Sequence, residues 1–231
     1  MIRIKECSVA YGAFRLDIPS ITFTKGHTVI IGPSGSGKST LLAVAAGLRS
    51  MPGDTVQRFV NGRWVRIENS YAQKGVLLMG QENALWNHLN VRQHLLFALS
   101  KGNPYAMDPR VERFLKSFSL SHRADVRPPF LSWGERRRLA LARALAASPE
   151  YLFLDEPFAN VDMVQAVTLN ETLISMADEN GIALIQVTHY PFVPKNYAKI
   201  VLVENGRVIS SENIETITKI SPWAKQWMEM I

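Results

Sequence analysis

The chain has 231 residues, a formal net charge of +6, and a composition that is 47% hydrophobic and 20% charged. That balance fits one large or two small globular domains with a sizeable core, and it excludes disordered, collagenous and low-complexity classes. No uncharged apolar run approaches the roughly 18 to 20 residues needed to cross a bilayer, and the single Cys7 can neither form an internal disulfide nor make a good case for a structural zinc site.

In chain order, Met1-Ile2-Arg3-Ile4-Lys5-Glu6 alternates like a strand, and Thr28-Val29-Ile30-Ile31 is an apolar run that leads into a glycine-rich turn. A helical stretch from Leu41 to Gly47 follows. Phe59-Val60, Asn61-Gly62 and Trp64-Val65-Arg66-Ile67 form a run, a type I′ turn dipeptide and a second run, which predicts a β-hairpin. From Val91 to about Leu120, apolar residues recur at helical spacing, broken by Gly102-Asn103-Pro104, and Pro128-Pro129 is expected to close this helical part. An arginine-rich helix then runs to about Ala147, and its cluster Arg136-Arg137-Arg138 reads equally well as a solvated face or as a site for an anionic partner. Tyr151-Leu152-Phe153-Leu154 and Ala183-Leu184-Ile185-Gln186-Val187 read as buried strands flanking a helix from about Val164 to Met176, the pattern of parallel α/β units. A second Asn-Gly hairpin is predicted at Ile200-Val201-Leu202-Val203, Asn205-Gly206 and Arg207-Val208-Ile209. The tail from Ser221 to Ile231 is apolar on one side if helical, and is expected to pack on the chain's own core.

The strongest chemical signal is Gly32-Pro33-Ser34-Gly35-Ser36-Gly37-Lys38-Ser39, a full P-loop match placed between a strand and a helix. Its glycines let successive backbone N–H groups converge on phosphate oxygens, and the helix N-terminus, continuing with Thr40, adds partial positive charge. Lys38 is expected to reach the β- and γ-phosphates of a bound nucleotide, and Ser39 to ligate Mg²⁺. Tyr151-Leu152-Phe153-Leu154-Asp155-Glu156 is a buried strand ending in two acids; Asp155 is assigned to the metal and Glu156 to the attacking water. Ser132 with Glu135 three residues on is a capping box at a helix start.

A P-loop, a capped helix start shortly before a strand ending in Asp-Glu, and a later strand ending at His189 together resemble the ATP-binding cassette (ABC) ATPases over nearly the whole chain. The resemblance implies an α/β fold: a P-loop NTPase core with a mostly parallel sheet, an N-terminal antiparallel β subdomain and an inserted α-helical subdomain. A single ABC ATPase domain over 1–231 is expected, with 1–81 and 150–231 as core and about 82–149 as the helical subdomain. Leu131-Ser132-Trp133-Gly134-Glu135 resembles the family's signature motif, whose usual third and fifth residues are Gly and Gln. Ser132 and Gly134 are implied to contact the γ-phosphate of ATP held by the opposite subunit. By the same resemblance Tyr11 stacks on adenine, Gln81 touches Mg²⁺ and the γ-phosphate side, Asp162 crosses the dimer seam, and His189 contacts the γ-phosphate and helps hold the water.

The resemblance further implies an ATP-hydrolysing subunit of an ABC transporter, cytoplasmic and peripheral on the cytoplasmic face of the membrane. Its implied partners are a second cassette, identical or not, a separate transmembrane permease subunit and, as a further candidate, a substrate-binding protein; no nucleic acid is expected. The segment from Glu82 to Val91 resembles that of importer cassettes for small solutes and oxyanions. The alternatives are a soluble ABC ATPase of nucleic-acid repair or translation, a non-hydrolysing regulator, and an exporter or cofactor-maturation cassette.

Overall fold

The computed structural model describes residues 1–12, 14–67, 75–190, 197–211 and 214–229, apart from the side chains of Tyr11, Ser210, Ser211 and Ile214. There are two sheets, and residues of both share one apolar cluster. The smaller is antiparallel, in the order β4 (Ile21–Phe23), β1 (Ile2–Ile4), β6 (Val56–Val60), β7 (Arg63–Arg66). The larger has eight strands in the order β2 (Cys7–Tyr11), β3 (Phe14–Ile18), β12 (Arg207–Ser211), β11 (Tyr197–Glu204), β5 (His27–Ile31), β10 (Ala183–Val187), β9 (Tyr151–Asp155), β8 (Val76–Met79). From β11 to β8 the pairings are parallel, and β5 and β10 are buried along their whole length, as continuous apolar strands covered on both faces should be.

Both Asn-Gly hairpins form as predicted. Asn61 and Gly62 have φ of 49° and 81°, and Asn205 and Gly206 have 49° and 69°, the left-handed pair that a type I′ turn requires. The P-loop helix α1 (Lys38–Ala45) begins directly after the glycine-rich turn. The helical region holds α2 (Val91–Leu99), α3 (Arg110–Ser117) and α4 (Trp133–Ala146), with α2 and α4 in contact. Pro128 and Pro129 do not end it. Arg127 before them is extended, as a pre-proline residue prefers, and the prolines then open one 3₁₀ turn that delivers the chain to α4. α4 and α5 (Met163–Glu179) share one apolar cluster with β8 and β9, so the helices are packed onto the strand ends that carry the motifs.

The tail forms α6 (Ile214–Ile220) and α7 (Pro222–Met228). Ala224 and Trp227 are buried against Val29, Ile31, Ile200 and Leu202, so this apolar face covers the chain's own sheet. Among the described residues, no helix is long and apolar enough to cross a membrane.

Candidate functional site

The P-loop is shaped by what it lacks. β5 ends at Ile31, and at Gly32 an added Cβ would stand 2.0 Å from the Val203 carbonyl oxygen, so only glycine lets the loop pass this close to β11. Gly37, with φ of 108°, caps α1 without any side-chain acceptor, and no acidic residue occupies the first turn. The helices α2, α4, α5 and α7 all begin with a capping side chain, from Asn90, Ser132, Asp162 and Ser221. The first N–H groups of α1 are thus left for an anion, and the helix dipole favours one there. Within the same loop Ser36 Oγ is buried with no hydrogen-bond partner.

Lys38 is 5% exposed and donates to the carbonyls of Gly32 (3.0 Å) and Pro33 (2.7 Å). Burial lowers its pKa, against the pull of Glu156 and Asp155. Ser39 Oγ donates to Asp155 Oδ1 at 3.0 Å. Burial pushes the Asp155 carboxyl up; Ser39, Lys38 and Arg137 act the other way. Two hard oxygen ligands side by side suit Mg²⁺, which takes one or two protein oxygens and fills the rest of its shell with water and phosphate. The residue after Asp155 is bent sharply. Glu156 has φ of 48°, its N–H donates to the Val187 carbonyl at 3.1 Å, and its Oε1 lies 2.6 Å from His189 Nε2. A non-glycine residue held in this conformation is the kind of local strain found where a side chain must be aimed.

A cavity of about 370 Å³ is lined by Phe14, Ser34, Gly35, Gly37, Lys38, Ser39, Thr40, Gln81, Glu156 and His189. Gly32, Pro33, Ser36 and Asp155 do not line it directly, but Lys38 is bonded to the first two and Ser39 to the last. A second cavity, of about 650 Å³, is lined by Ser132, Trp133, Gly134, Arg138, Asn160, Val161, Asp162 and Gln165 and shares no residue with the first. The sequence-predicted residues therefore fall into two groups that one chain does not bring together. Tyr11 closes β2, and its side chain lies outside the described residues.

The capping box at the second face is formed in full. Ser132 Oγ accepts from the Glu135 N–H, and Glu135 Oε2 accepts from the Ser132 N–H. Glu135 Oε1 also accepts from Arg123 Nε at 2.9 Å. The Ser132 N–H first, and Arg123 with it, hold this carboxyl down at about 2, below the 4.5 of a free glutamate. A depressed carboxylate adds stability above the free value and loses it as pH falls toward the bound one. Glu135→Gln is therefore expected to destabilise the protein by about 1 to 2 kcal/mol at pH 7. In urea titrations that gap should narrow as pH drops below 4.5; a gap that stays constant with pH would show that the charge does not matter.

The family model described as "ABC transporter" matches residues 16–159, well over half of the chain. The chain belongs to the ABC transporter family. It is 34% identical over 216 residues to the sulfate/thiosulfate import ATP-binding protein CysA of Vibrio cholerae serotype O1, covering 90% of this chain and 57% of that protein. It is 35% identical over 212 residues to the protein of the same name from Synechococcus elongatus, covering 90% and 61%. A probable protein of that name in Chlorella vulgaris is 36% identical, with 90% and 89% covered. The chain thus spans about three fifths of the length of the first two. Among solved structures, a nucleotide-free ATP-binding cassette of an ABC transporter matches with a TM-score of 0.75 at 23% identity, covering 98% of each chain. A dimeric cassette in a post-hydrolysis state with ADP and Pi matches with 0.71 at 22% identity, covering 91% of this chain and 98% of that one. These two establish the ABC ATPase fold.

Within that fold, three positions make contacts that the sequence does not name. Phe14 in β3 lines the first cavity, three residues from Tyr11 and on the strand paired with it. Trp227 in α7 donates its indole N–H to the His189 carbonyl at 3.0 Å, tying the tail to the residue that faces Glu156. Arg137 is only 1% exposed. Of the arginine cluster, the middle member is a core residue rather than part of a solvated face.

Proposed function

We propose that this chain is the ATP-binding and hydrolysing subunit of an ABC transporter, working as one of two cassettes against a separate transmembrane subunit. The observation that carries the reading is the division of the site. The phosphate-binding cavity and the Ser132–Asp162 cavity have no lining residue in common, so a nucleotide touched by both sets of residues calls for a second cassette. The arrangement proposed is head to tail, with each ATP between one P-loop and the partner's signature helix.

Each group of residues has its own part of the chemistry. The uncapped α1 start and Lys38 bind the phosphates, and Lys38 would exchange its two loop carbonyls for phosphate oxygens. Ser39 and Asp155 would hold Mg²⁺, with Gln81 beside them, and the ion would offset charge on the transferred phosphoryl group. Glu156 accepts the proton of the attacking water, and His189, hydrogen-bonded to it, fixes the direction of its carboxylate. Tyr11 is retained as the adenine platform. Contacts made only with the γ-phosphate would favour the closed pair, and hydrolysis would release it.

We place the core at 1–81 and 150–231 and the helical subdomain at about 82–149. A groove of about 670 Å³ between β8, the segment after Gln81, α2 and α4, lined among others by Leu77, Trp86, Phe97 and Arg143, supports docking of the membrane subunit there. Solute import, with sulfate-like oxyanions as the first substrates to try and a binding protein as a further partner, rests on the names of the relatives.

The test is a tagged Glu156→Gln protein used to capture partners from detergent-solubilised native membranes in Mg-ATP. Copurification of a polytopic membrane protein is expected. Recovery of only soluble or nucleic-acid-associated proteins would move the work off the membrane and sink the transport reading.

A further inference from the structure

The arginine cluster of the signature helix contains a buried cation that lines neither the phosphate-loop cavity nor the Ser132–Asp162 cavity. Arg137 lies in α4 at 1% exposure, and every acceptor of its guanidinium is neutral. Nε donates to the Pro157 carbonyl at 2.7 Å and Nη2 to the Glu156 carbonyl at 2.8 Å. Nη1 points the other way, to the carbonyls of Gly80 at 3.2 Å and Gln81 at 3.1 Å and to Asn83 Oδ1 at 3.3 Å. One rigid, planar group therefore bridges two loops that are far apart in sequence, the turn after β8 and the turn after β9. Burying this charge is costly, offset by the nearby Asp155 carboxylate and by the five acceptors it satisfies, which an apolar side chain of similar volume would leave unpaired.

The same helix grips the next stretch of the first loop. Arg143 donates to the carbonyls of Ala84 (2.8 Å) and Asn83 (3.4 Å), and its guanidinium lies 4.8 Å over the Trp86 ring. Residues 80–84 are thus clamped along α4, but only Arg137 continues from them to the backbone of the residue that faces the water. That residue is held in the left-handed region, with φ of 48°, as Ala84 is at 44° in the clamped segment, so where its carbonyl is anchored bears on where its carboxylate points.

We propose that Arg137 is a positioning residue for ATP hydrolysis: it ties the Gly80–Gln81 carbonyls to those of Glu156 and Pro157, so that displacement of the 80–86 segment is passed to the Glu156 carboxylate. This rests on Glu156 acting on the attacking water. Occupancy of the groove beside Trp86 would then tune turnover through one side chain without touching the nucleotide. A lysine cannot replace it, since a single ammonium on a flexible stem reaches one loop or the other but lacks the fork that spans both.

The experiment uses the full chain with Arg137→Lys, Arg137→Gln and, as the neighbour on the same helix, Arg136→Lys. The expected result is a kcat at least tenfold lower for both Arg137 variants, with KM and the Mg-ATP melting shift within about threefold of the parent and Arg136→Lys unchanged. Hydrogen exchange supplies a second readout that a purely structural role would not move. Mg-ATP is expected to slow exchange in residues 83–90 of the parent and to leave that segment unaffected in Arg137→Lys, while residues 34–40 still respond. Should both Arg137 variants fail to fold, Asn83→Ala removes only one acceptor of the bridge and is expected to lower kcat two- to threefold at constant KM. An unchanged kcat, a loss of binding in proportion to kcat, or no exchange response in the parent segment would each overturn the proposal. Failure of the underlying assignment looks different: Glu156→Gln would itself keep turning over.

Discussion

Glu156→Gln is expected to bind Mg-ATP with near-parent affinity and to hydrolyse it about 10² to 10⁴ times more slowly, the usual contribution of a positioned base. The geometry makes this substitution unusually clean. The main chain at 156 is fixed by its N–H to the Val187 carbonyl and by Arg137 on its own carbonyl, and neither bond involves the side chain. A glutamine keeps the shape and an oxygen at 2.6 Å from His189 Nε2, and loses only the capacity to take a proton. Because the γ-phosphate then persists, the closed pair should accumulate. The check is steady-state phosphate release beside size-exclusion elution with and without Mg-ATP: a slow enzyme that elutes as a dimer in ATP fits the assignment, and near-parent turnover rejects Glu156 as the base.

Much of this site was legible because its determinants are local. The phosphate loop is a contiguous string recognisable by its spacing alone, although the constraint that demands glycine at 32, the 2.0 Å approach to the Val203 carbonyl, comes from the distant β11. The two Asn-Gly hairpins and the Ser132–Glu135 box are likewise complete inside short windows. What escaped depends on distant pairing. The partner of the Trp227 indole is a carbonyl 38 residues away in sequence, and no pattern in the tail names it. Arg137 is the instructive case. Beside Arg136 and Arg138 it reads as surface, yet it stands four and eight residues before Leu141 and Leu145, both fully buried, and so lies in register with the apolar stripe of α4. Helical phase, rather than composition, held the signal. The two-cavity division of the motifs had no counterpart in spacing at all; the starts of α4 and α5 line one cavity and the start of α1 lines the other.

Lys38→Ala is expected to abolish the response to nucleotide. In the parent, ligand at about 100 times its dissociation constant adds roughly 2.7 kcal/mol, or about 5 to 10 °C in Tm for a chain of this size. In the variant the shift should vanish, because the positive charge that balances the β- and γ-phosphates is gone while the α1 start alone remains. Two effects are separable here. Without ligand, Lys38 holds the loop by its bonds to the Gly32 and Pro33 carbonyls, so Lys38→Ala also leaves those acceptors unpaired, and the ligand-free Tm should fall. Lys38→Met keeps most of the buried stem and still lacks the charge. If the loop bonds were the whole role of Lys38, both variants would melt lower yet still gain the parent's shift in Mg-ATP, and the phosphate reading of the loop would fail. If the charge is what binds, both variants lose the shift whatever their starting Tm, and the loop carbonyls are the resting place of an ammonium whose working partners are phosphate oxygens.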